Sequence, residues 1–371
     1  MYLSFCVLVF LLTTRCIYIG GRTLNDHIVV IFVLICMMPY ILAGWMWENP
    51  VFGLGNIGIF SLFAVLVQKK EAKPWMMPFV LLSQPAYAVS FWCYFFIPLQ
   101  VFIMWLWSDK LSISYAMIVL PLMIGCWGCV WTWLKNQHCS EHRLGDKGIR
   151  LVHLSDIHAS PLMRGLELDT LFQKVNDLEP DIICITGDFV MPFSEEQHNY
   201  LRVSLRKLNA PIFCCMGNHD LPIQNTLIEE FAEDSHNLLI DEQADLTIRN
   251  HKISIFGLQF HWKNAKEKSL AALASFETEN ETYRIVLAHD PRYFRWIQKE
   301  NCDLVLSGHT HGGQLALNMM GFSWSPLRLL GVYDQGMFQK DACILFVHKG
   351  NWSWGLPPRM GVAPEIAVLT L

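Results

Sequence analysis

Apolar residues fill the chain almost without interruption up to about residue 135. From about residue 148 they thin into short runs separated by polar turns. A transmembrane helix needs roughly 20 mostly apolar residues. Residues 28–47, 51–68 and 114–134 meet that requirement, and 2–20 does so despite Arg15. Residues 75–107 contain Pro78, Pro85 and Pro98, and read as one span with an interfacial piece. The count is five spans, with four as the alternative. Residues 2–20 lack a basic start and a small-residue cleavage site, so a cleaved signal peptide is not expected.

The second part has a different rhythm. Strand-like apolar runs fall at 149–155, 181–187, 211–216, 252–259, 283–288, 302–307, 343–348 and 365–370. Helical spacing appears near 165–178, 195–208, 223–235 and 265–276. Strands and helices alternate early and strands dominate late, which predicts a layered α/β sandwich with helices outside two mixed sheets. Asn250-His251, between two strand-like runs, marks a hairpin turn. The organisation expected is a transmembrane region over 1–134, a polar linker over 135–148 and a globular domain over 149–371.

Composition sharpens this division. The chain has 371 residues, 53% of them hydrophobic and 16% charged. Its mean hydropathy of +0.29 is too high for an ordinary soluble enzyme. The net charge of −5, with no basic stripe, argues against nucleic acid as a partner. Lys69, Lys70 and Lys73, Arg15 with Arg22, and Lys135, Arg143, Lys147 and Arg150 all fall inside if the N-terminus is outside. The globular domain is then cytoplasmic. The twelve cysteines show no disulfide framework, and buried free thiols agree with a reducing compartment. Trp45, Trp47, Trp75, Trp105, Trp107, Trp131 and Trp133 cluster near span ends, as interfacial anchors do. With no acidic residue inside the spans, anchoring is a better reading than transport.

Chemistry concentrates in four short clusters and one lone histidine. They are Asp156-Ile-His158, Gly187-Asp188, Gly217-Asn218-His219-Asp220, His289, and Gly308-His309-Thr310-His311. Each follows a strand-like run, where sites form in open α/β sheets. Taken singly, each is more often structural: a turn, a helix cap, a satisfied core histidine. Taken together, they supply carboxylates, an amide oxygen and imidazoles at the ends of neighbouring strands. Such hard donors without cysteine suit Mn, Fe, Zn or Mg, and two such ions held by a shared carboxylate can activate water for hydrolysis.

The set resembles the calcineurin-like metallophosphoesterase family over roughly residues 148–371. The resemblance implies a four-layer α/β/β/α sandwich and a two-metal phosphoester hydrolase. It implies that Asp156, His158 and His311 bind one divalent ion, that Asn218, His289 and His309 bind the other, and that Asp188 bridges them. It further implies attack by a metal-bridging hydroxide, with His219 as general acid and Asp220 orienting its ring. Gly308-His-Thr-His-Gly-Gly-Gln314, Ser325-Pro326 and Pro357-Pro-Arg359…Pro364-Glu365 resemble the membrane-associated bacterial branch. That branch includes a UDP-2,3-diacylglucosamine pyrophosphohydrolase. A phosphodiesterase or pyrophosphohydrolase acting on a membrane-associated or lipid-linked phosphoester in the bacterial inner membrane follows as the expectation. A phosphomonoesterase or protein phosphatase is the runner-up, and a non-catalytic membrane module is the third reading. Met191-Pro192 stands where the branch has an acidic residue, and the Gly-rich stretch expected after residue 341 is absent.

Residues outside the pattern are weighed separately. Arg164 is a phosphate contact or a surface residue, and Arg359 a buttress of the cleft or a substrate contact. Gln314 supports a ligand or the loop. His198, His261 and His348 read as structural or surface, and Trp352 and Trp354 as core or as an apolar rim.

Overall fold

Ile182-Ile-Cys-Ile-Thr186 has no polar face, the pattern of a strand covered on both sides. Ile183 and Ile185 join the apolar layer under the helices, whereas Ile182 and Cys184 face a second sheet. The same alternation separates Val152 from Leu151, and Val368 from Leu369. The structure, a computed structural model, describes residues 138–371 apart from 160–164, 191–194, 235, 280, 298–301, 315, 320–321, 354–358 and 360. The expected membrane spans, Arg164, Met191-Pro192 and Trp354 lie outside the described residues. Among the described residues no helix is long and apolar enough to cross a membrane.

The first sheet is built from β1 (His138–Arg143), β2 (Arg150–Leu154), β3 (Ile182–Thr186), β4 (Ile212–Cys215), β5 (Asn237–Leu238) and β14 (Glu365–Thr370), in the order β1-β14-β2-β3-β4-β5. The second contains β6 (Glu242–Ile248), β7 (His251–Leu258), β8 (Tyr283–Ala288), β9 (Leu304–Ser307), β12 (Gly336–Lys340) and β13 (Cys343–Val347), in the order β12-β13-β9-β8-β7-β6. Both sheets are mixed: the first is parallel except for the β14–β2 pair, and the second has a parallel centre with antiparallel pairs at both edges. A separate hairpin joins β10 (Leu317–Met319) to β11 (Phe322–Trp324). The helices are α1 (Gly165–Asp177), α2 (Glu195–Leu205), α3 (Gln224–Glu233) and α4 (Ala265–Leu273), each within the span its apolar spacing predicts.

Three apolar layers hold the elements together. Leu168, Leu171, Phe172 and Val175 recur at helical spacing on α1 and pack with Leu201, Leu205, Leu227 and Phe231 over the first sheet. Between the sheets lie Leu151, Cys184, Cys215, Ile255, Leu287 and Leu306. Beyond the second sheet, Leu273, Phe276, Phe294 and Ile297 form the outer layer. The four-layer arrangement of the globular part is therefore present.

Three expectations need correction. His138–Arg143, inside the stretch read as linker, is a strand paired in parallel with β14. The β6–β7 turn is Arg249-Asn250, both at positive φ (49° and 67°), one residue earlier than the sequence suggested. Cys302 and Cys343 are disulfide-bonded with Cα atoms 6.0 Å apart, whereas they were counted among free thiols. The pairing of β9 with β13 brings them together, which a separation of 41 residues conceals. Among the described residues the free cysteines are Cys139, which is exposed, and Cys184, Cys214 and Cys215, which are buried.

Candidate metal centre

The strands β2, β3, β4, β8 and β9 end on one side of the sandwich, and the loops that follow them carry the chemistry. The first two loops run side by side. The Asp156, His158 and Ala159 N–H groups donate to the carbonyls of Gly187, Asp188 and Phe189. The Gly308 N–H donates to the His289 carbonyl, 3.0 Å away. Two glycines are required by close approach: a Cβ on Gly217 would fall onto Asp188 Oδ1, and one on Gly308 onto Ser155 Oγ and Asp156 Oδ2. Asp156, His158, Asp188, His309 and His311 all adopt positive φ, between 44° and 69°. Side chains rarely occupy that region without support from their surroundings.

These loops bring together six side chains in two groups, with Asn218 beside the second. Asp156, His158 and His311 form one, and Asp188, His289 and His309 the other, with the ligand-type atoms of each group within 4.8 Å of one another. In the first group His311 Nε2 is 3.1 Å from His158 Nε2 and 3.2 Å from Asp156 Oδ1. In the second, His289 Nε2 is 3.3 Å from Asp188 Oδ2, 3.2 Å from His309 Nδ1 and 3.2 Å from Asn218 Oδ1. Asp188 Oδ2 also approaches His158 Nε2 of the first group at 3.7 Å, so Asp188 lies between the two.

Each carboxylate has one oxygen anchored and one aimed. Asp156 Oδ2 accepts from Ser155 Oγ (2.7 Å) and the His309 N–H (3.0 Å), and Oδ1 faces His311. Asp188 Oδ1 accepts from the His219 N–H (2.9 Å), and Oδ2 faces the histidines. The imidazoles are oriented in the same way. His289 Nδ1 donates to the Thr186 carbonyl (2.6 Å) and His311 Nδ1 to the Trp352 carbonyl (2.9 Å). A ring nitrogen facing a carbonyl must hold the proton, which leaves Nε2 as the lone pair whenever the ring is neutral.

Both groups therefore converge as acceptors on acceptors, an arrangement that needs a cation at its centre. A proton can take that part only locally. Burial pulls His289 down, but the Asp188 carboxylate outweighs it and holds the ring up at about 10. Burial pushes His158 down to about 3 and His309 down to about 4, so both are neutral lone-pair donors at neutral pH. Oxygen and imidazole donors, with no thiolate, fit a hard or borderline divalent ion. Each group can hold one such ion, with Asn218 added to the second.

His219 and Asp220 have separate places. His219 is half-buried, its ring 5.3 Å from that of His158, and burial lowers its pKa. The Asp220 carboxylate accepts the N–H groups of Asp188 (2.7 Å), Gly217 (2.8 Å) and Phe189 (2.9 Å), tying two ligand loops together from beneath. Burial and the Asp188 charge push Asp220 up to about 7.

Several supports have no motif. Ser155, Thr186 and Trp352 act on the ligands, the last two through backbone carbonyls, which no side-chain pattern reveals. Asn351 joins two strands: its Oδ1 accepts from Ser155 N (2.9 Å) and its Nδ2 donates to the Glu365 carbonyl (2.6 Å). Arg359 is fully buried and donates to the carbonyls of Lys349 (2.7 Å) and Trp352, so it buttresses the cleft. Trp352 packs on the helix-covered core, and His348 is buried with its ring 4.9 Å from that of His153.

Comparison with known proteins follows the same residues. Residues 149–313 match the family model for calcineurin-like phosphoesterases. Over 235 residues the chain is 31% identical to the metallophosphoesterase YkuE of Bacillus subtilis, covering 61% of this chain and 80% of that one. It is 25% identical over 274 residues to the UDP-2,3-diacylglucosamine pyrophosphatase LpxG of Chlamydia muridarum (60% and 83% covered). It is 28% identical over 229 residues to the phosphodiesterase YaeI of Escherichia coli (60% and 82% covered).

Proposed function

The chain belongs to the calcineurin-like phosphoesterase family and is a metal-dependent phosphoester hydrolase; from that premise we propose that it cleaves a phosphodiester or diphosphate on a lipid-linked or membrane-associated substrate. The observation that carries the two-ion part of this reading is Asp188, whose Oδ2 faces a histidine of each acceptor group. In this proposal Asp156, His158 and His311 hold one divalent ion, Asn218, His289 and His309 the other, and Asp188 both. Such a pair, when bound, activates water and neutralises charge on the phosphoryl oxygens.

The chain's own residues do the rest. His219, half-buried at the rim, contacts the phosphate and delivers a proton to the leaving oxygen. Its backbone N–H fixes Asp188, so proton donor and bridging carboxylate move as one unit. Asp220 keeps the two loops in register through the N–H groups of Asp188, Gly217 and Phe189.

Support for a diester or diphosphate comes from YaeI and LpxG, whose names state those activities. Support for a lipid-linked substrate, such as a UDP-diacylglucosamine-like molecule, comes from LpxG and from the apolar first 134 residues. Those residues would anchor the enzyme in the bacterial inner membrane. The cytoplasmic side for the catalytic domain rests on the Lys and Arg pattern.

The test compares Mn²⁺-supported hydrolysis of bis-p-nitrophenyl phosphate and p-nitrophenyl phosphate by the detergent-purified chain, beside Asp188→Ala. Diester cleavage that disappears in the variant is the expected result. Preference for the monoester would replace this reading with a phosphatase.

A further inference from the structure

One residue past the end of β13, Lys349–Ser353 form a strap across the back of the first acceptor group. The Asn351 N–H donates to the Ser155 carbonyl (2.8 Å) and the Trp352 N–H to the Asp156 carbonyl (3.1 Å). The Trp352 carbonyl accepts the Nδ1 proton of His311 at 2.9 Å. One strap thus governs two ligands: Asp156 through the backbone and His311 through its ring.

The strap is itself held from within. Arg359 Nη1 donates to the Lys349 carbonyl (2.7 Å), Nε to Ser353 Oγ (3.3 Å), and Nη2 to the Trp352 carbonyl that His311 uses. The guanidinium spans the strap from its first residue to its last. Nη2 also lies 3.2 Å from His311 Nδ1. That nitrogen cannot both accept from arginine and donate to the carbonyl. The carbonyl is the closer partner and only accepts, so both donors converge on Trp352 O. Gly350 (φ +81°) leaves room for the convergence: a Cβ there would lie 2.9 Å from Arg359 Nη2 and 3.0 Å from His311 Nδ1.

Resting on the two-ion reading above, we propose that Arg359 is a positioning residue for one metal site only. By fixing the Trp352 carbonyl it holds the His311 proton on Nδ1 and the Nε2 lone pair toward Asp156 and His158. The second group has its own carbonyl, that of Thr186 on β3, which fixes His289. Loss of Arg359 therefore weakens one ion and spares the other.

The experiment uses the full chain in detergent, stripped with a chelator and titrated with Mn²⁺ by calorimetry and by electron paramagnetic resonance. The wild type is expected to take up two ions and show a spin-coupled pair. Arg359→Met is expected to bind one ion unchanged and the other about 10–100-fold more weakly, the usual cost of losing an outer partner. At one equivalent it then shows an isolated six-line signal. Arg359→Lys, which keeps the charge but cannot span both carbonyls, falls between the two. Gly350→Ala shows the same selective loss with Arg359 present.

Arg359→Met binding both ions as tightly as wild type overturns the proposal. So does loss of both ions in equal measure with a lowered thermal midpoint, since that is a merely structural role. Should Arg359→Met fail to fold, Arg359→Lys and Gly350→Ala decide by the same criteria. A wild-type chain that binds no Mn²⁺ would refute the two-ion reading itself, whereas two ions in the wild type with no selectivity in the variants refutes only the role of Arg359.

Discussion

The two acceptor groups use similar donors in different surroundings. Asp156 and His158 have no exposed surface and His311 only 4%, and the His158 and His311 rings stack at 5.0 Å. The second group is buried at Asp188 and His289, but Asn218 and His309 are half-exposed. Phe260 lies 6.0 Å from the rings of both His289 and His309, an apolar wall rather than a polar strap. The first group is thus enclosed on all sides, and the second is the more open of the two, at Asn218 and His309.

The largest expected effect breaks the comparison at the residue that belongs to neither group. His219→Ala should reduce diester turnover by about 10²–10⁴-fold, the usual contribution of a general acid. Bound metal, measured by elemental analysis, should stay at the wild-type amount. Loss of an ion from this variant would make His219 a ligand instead.

A smaller effect sharpens the contrast. Asp156→Ala should cost both an ion and stability, because Asp156 Oδ2 also organises Ser155 and the His309 backbone. Removing one side of such a buried charge-assisted network costs about 1–3 kcal/mol or more. His309→Ala in the more open group should cost an ion while leaving the metal-free thermal midpoint near wild type. Equal destabilisation of the two metal-free variants would erase the distinction.

The smallest effect concerns pH and the strap. Burial raises the Glu365 carboxyl, but the charges of His348 and Lys349 outweigh it and hold it at about 2, against 4.5 ordinarily. Lys349 Nζ donates to Glu365 Oε1 at 2.8 Å. A carboxyl depressed in the folded state stabilises fully above its unfolded value and loses that contribution as pH falls through the folded one. In metal-free protein, the stability gap between wild type and Glu365→Gln should be constant above about pH 5. It should then close between 4.5 and about 2, by on the order of 3 kcal/mol. A gap independent of pH would mean that Glu365 acts by packing alone.

What the sequence revealed and what it hid follow from the same physics. Leu168, Leu171, Phe172 and Val175 announce α1 because a helix must bury one stripe. The ligand clusters stand out because side chains carry them and glycines mark their loops. β1 was invisible: His-Cys-Ser-Glu-His-Arg sits at a sheet edge, largely exposed, with no apolar alternation to find. The anchoring by Asp220 was hidden because its partners are backbone N–H groups of two loops distant in sequence. The carbonyls of Thr186 and Trp352 left no trace, since every residue has one.

The left-handed backbone at Asp156, His158, Asp188, His309 and His311 has a consequence for the protein's history. Each such residue costs of order 1 kcal/mol or more relative to a relaxed conformation. Glycine or asparagine at the same positions would ease that tension. A population of variants selected only for heat resistance should therefore drift toward those residues and away from metal binding. Five strained acids and histidines at one end of the sandwich therefore set binding chemistry and endurance against each other.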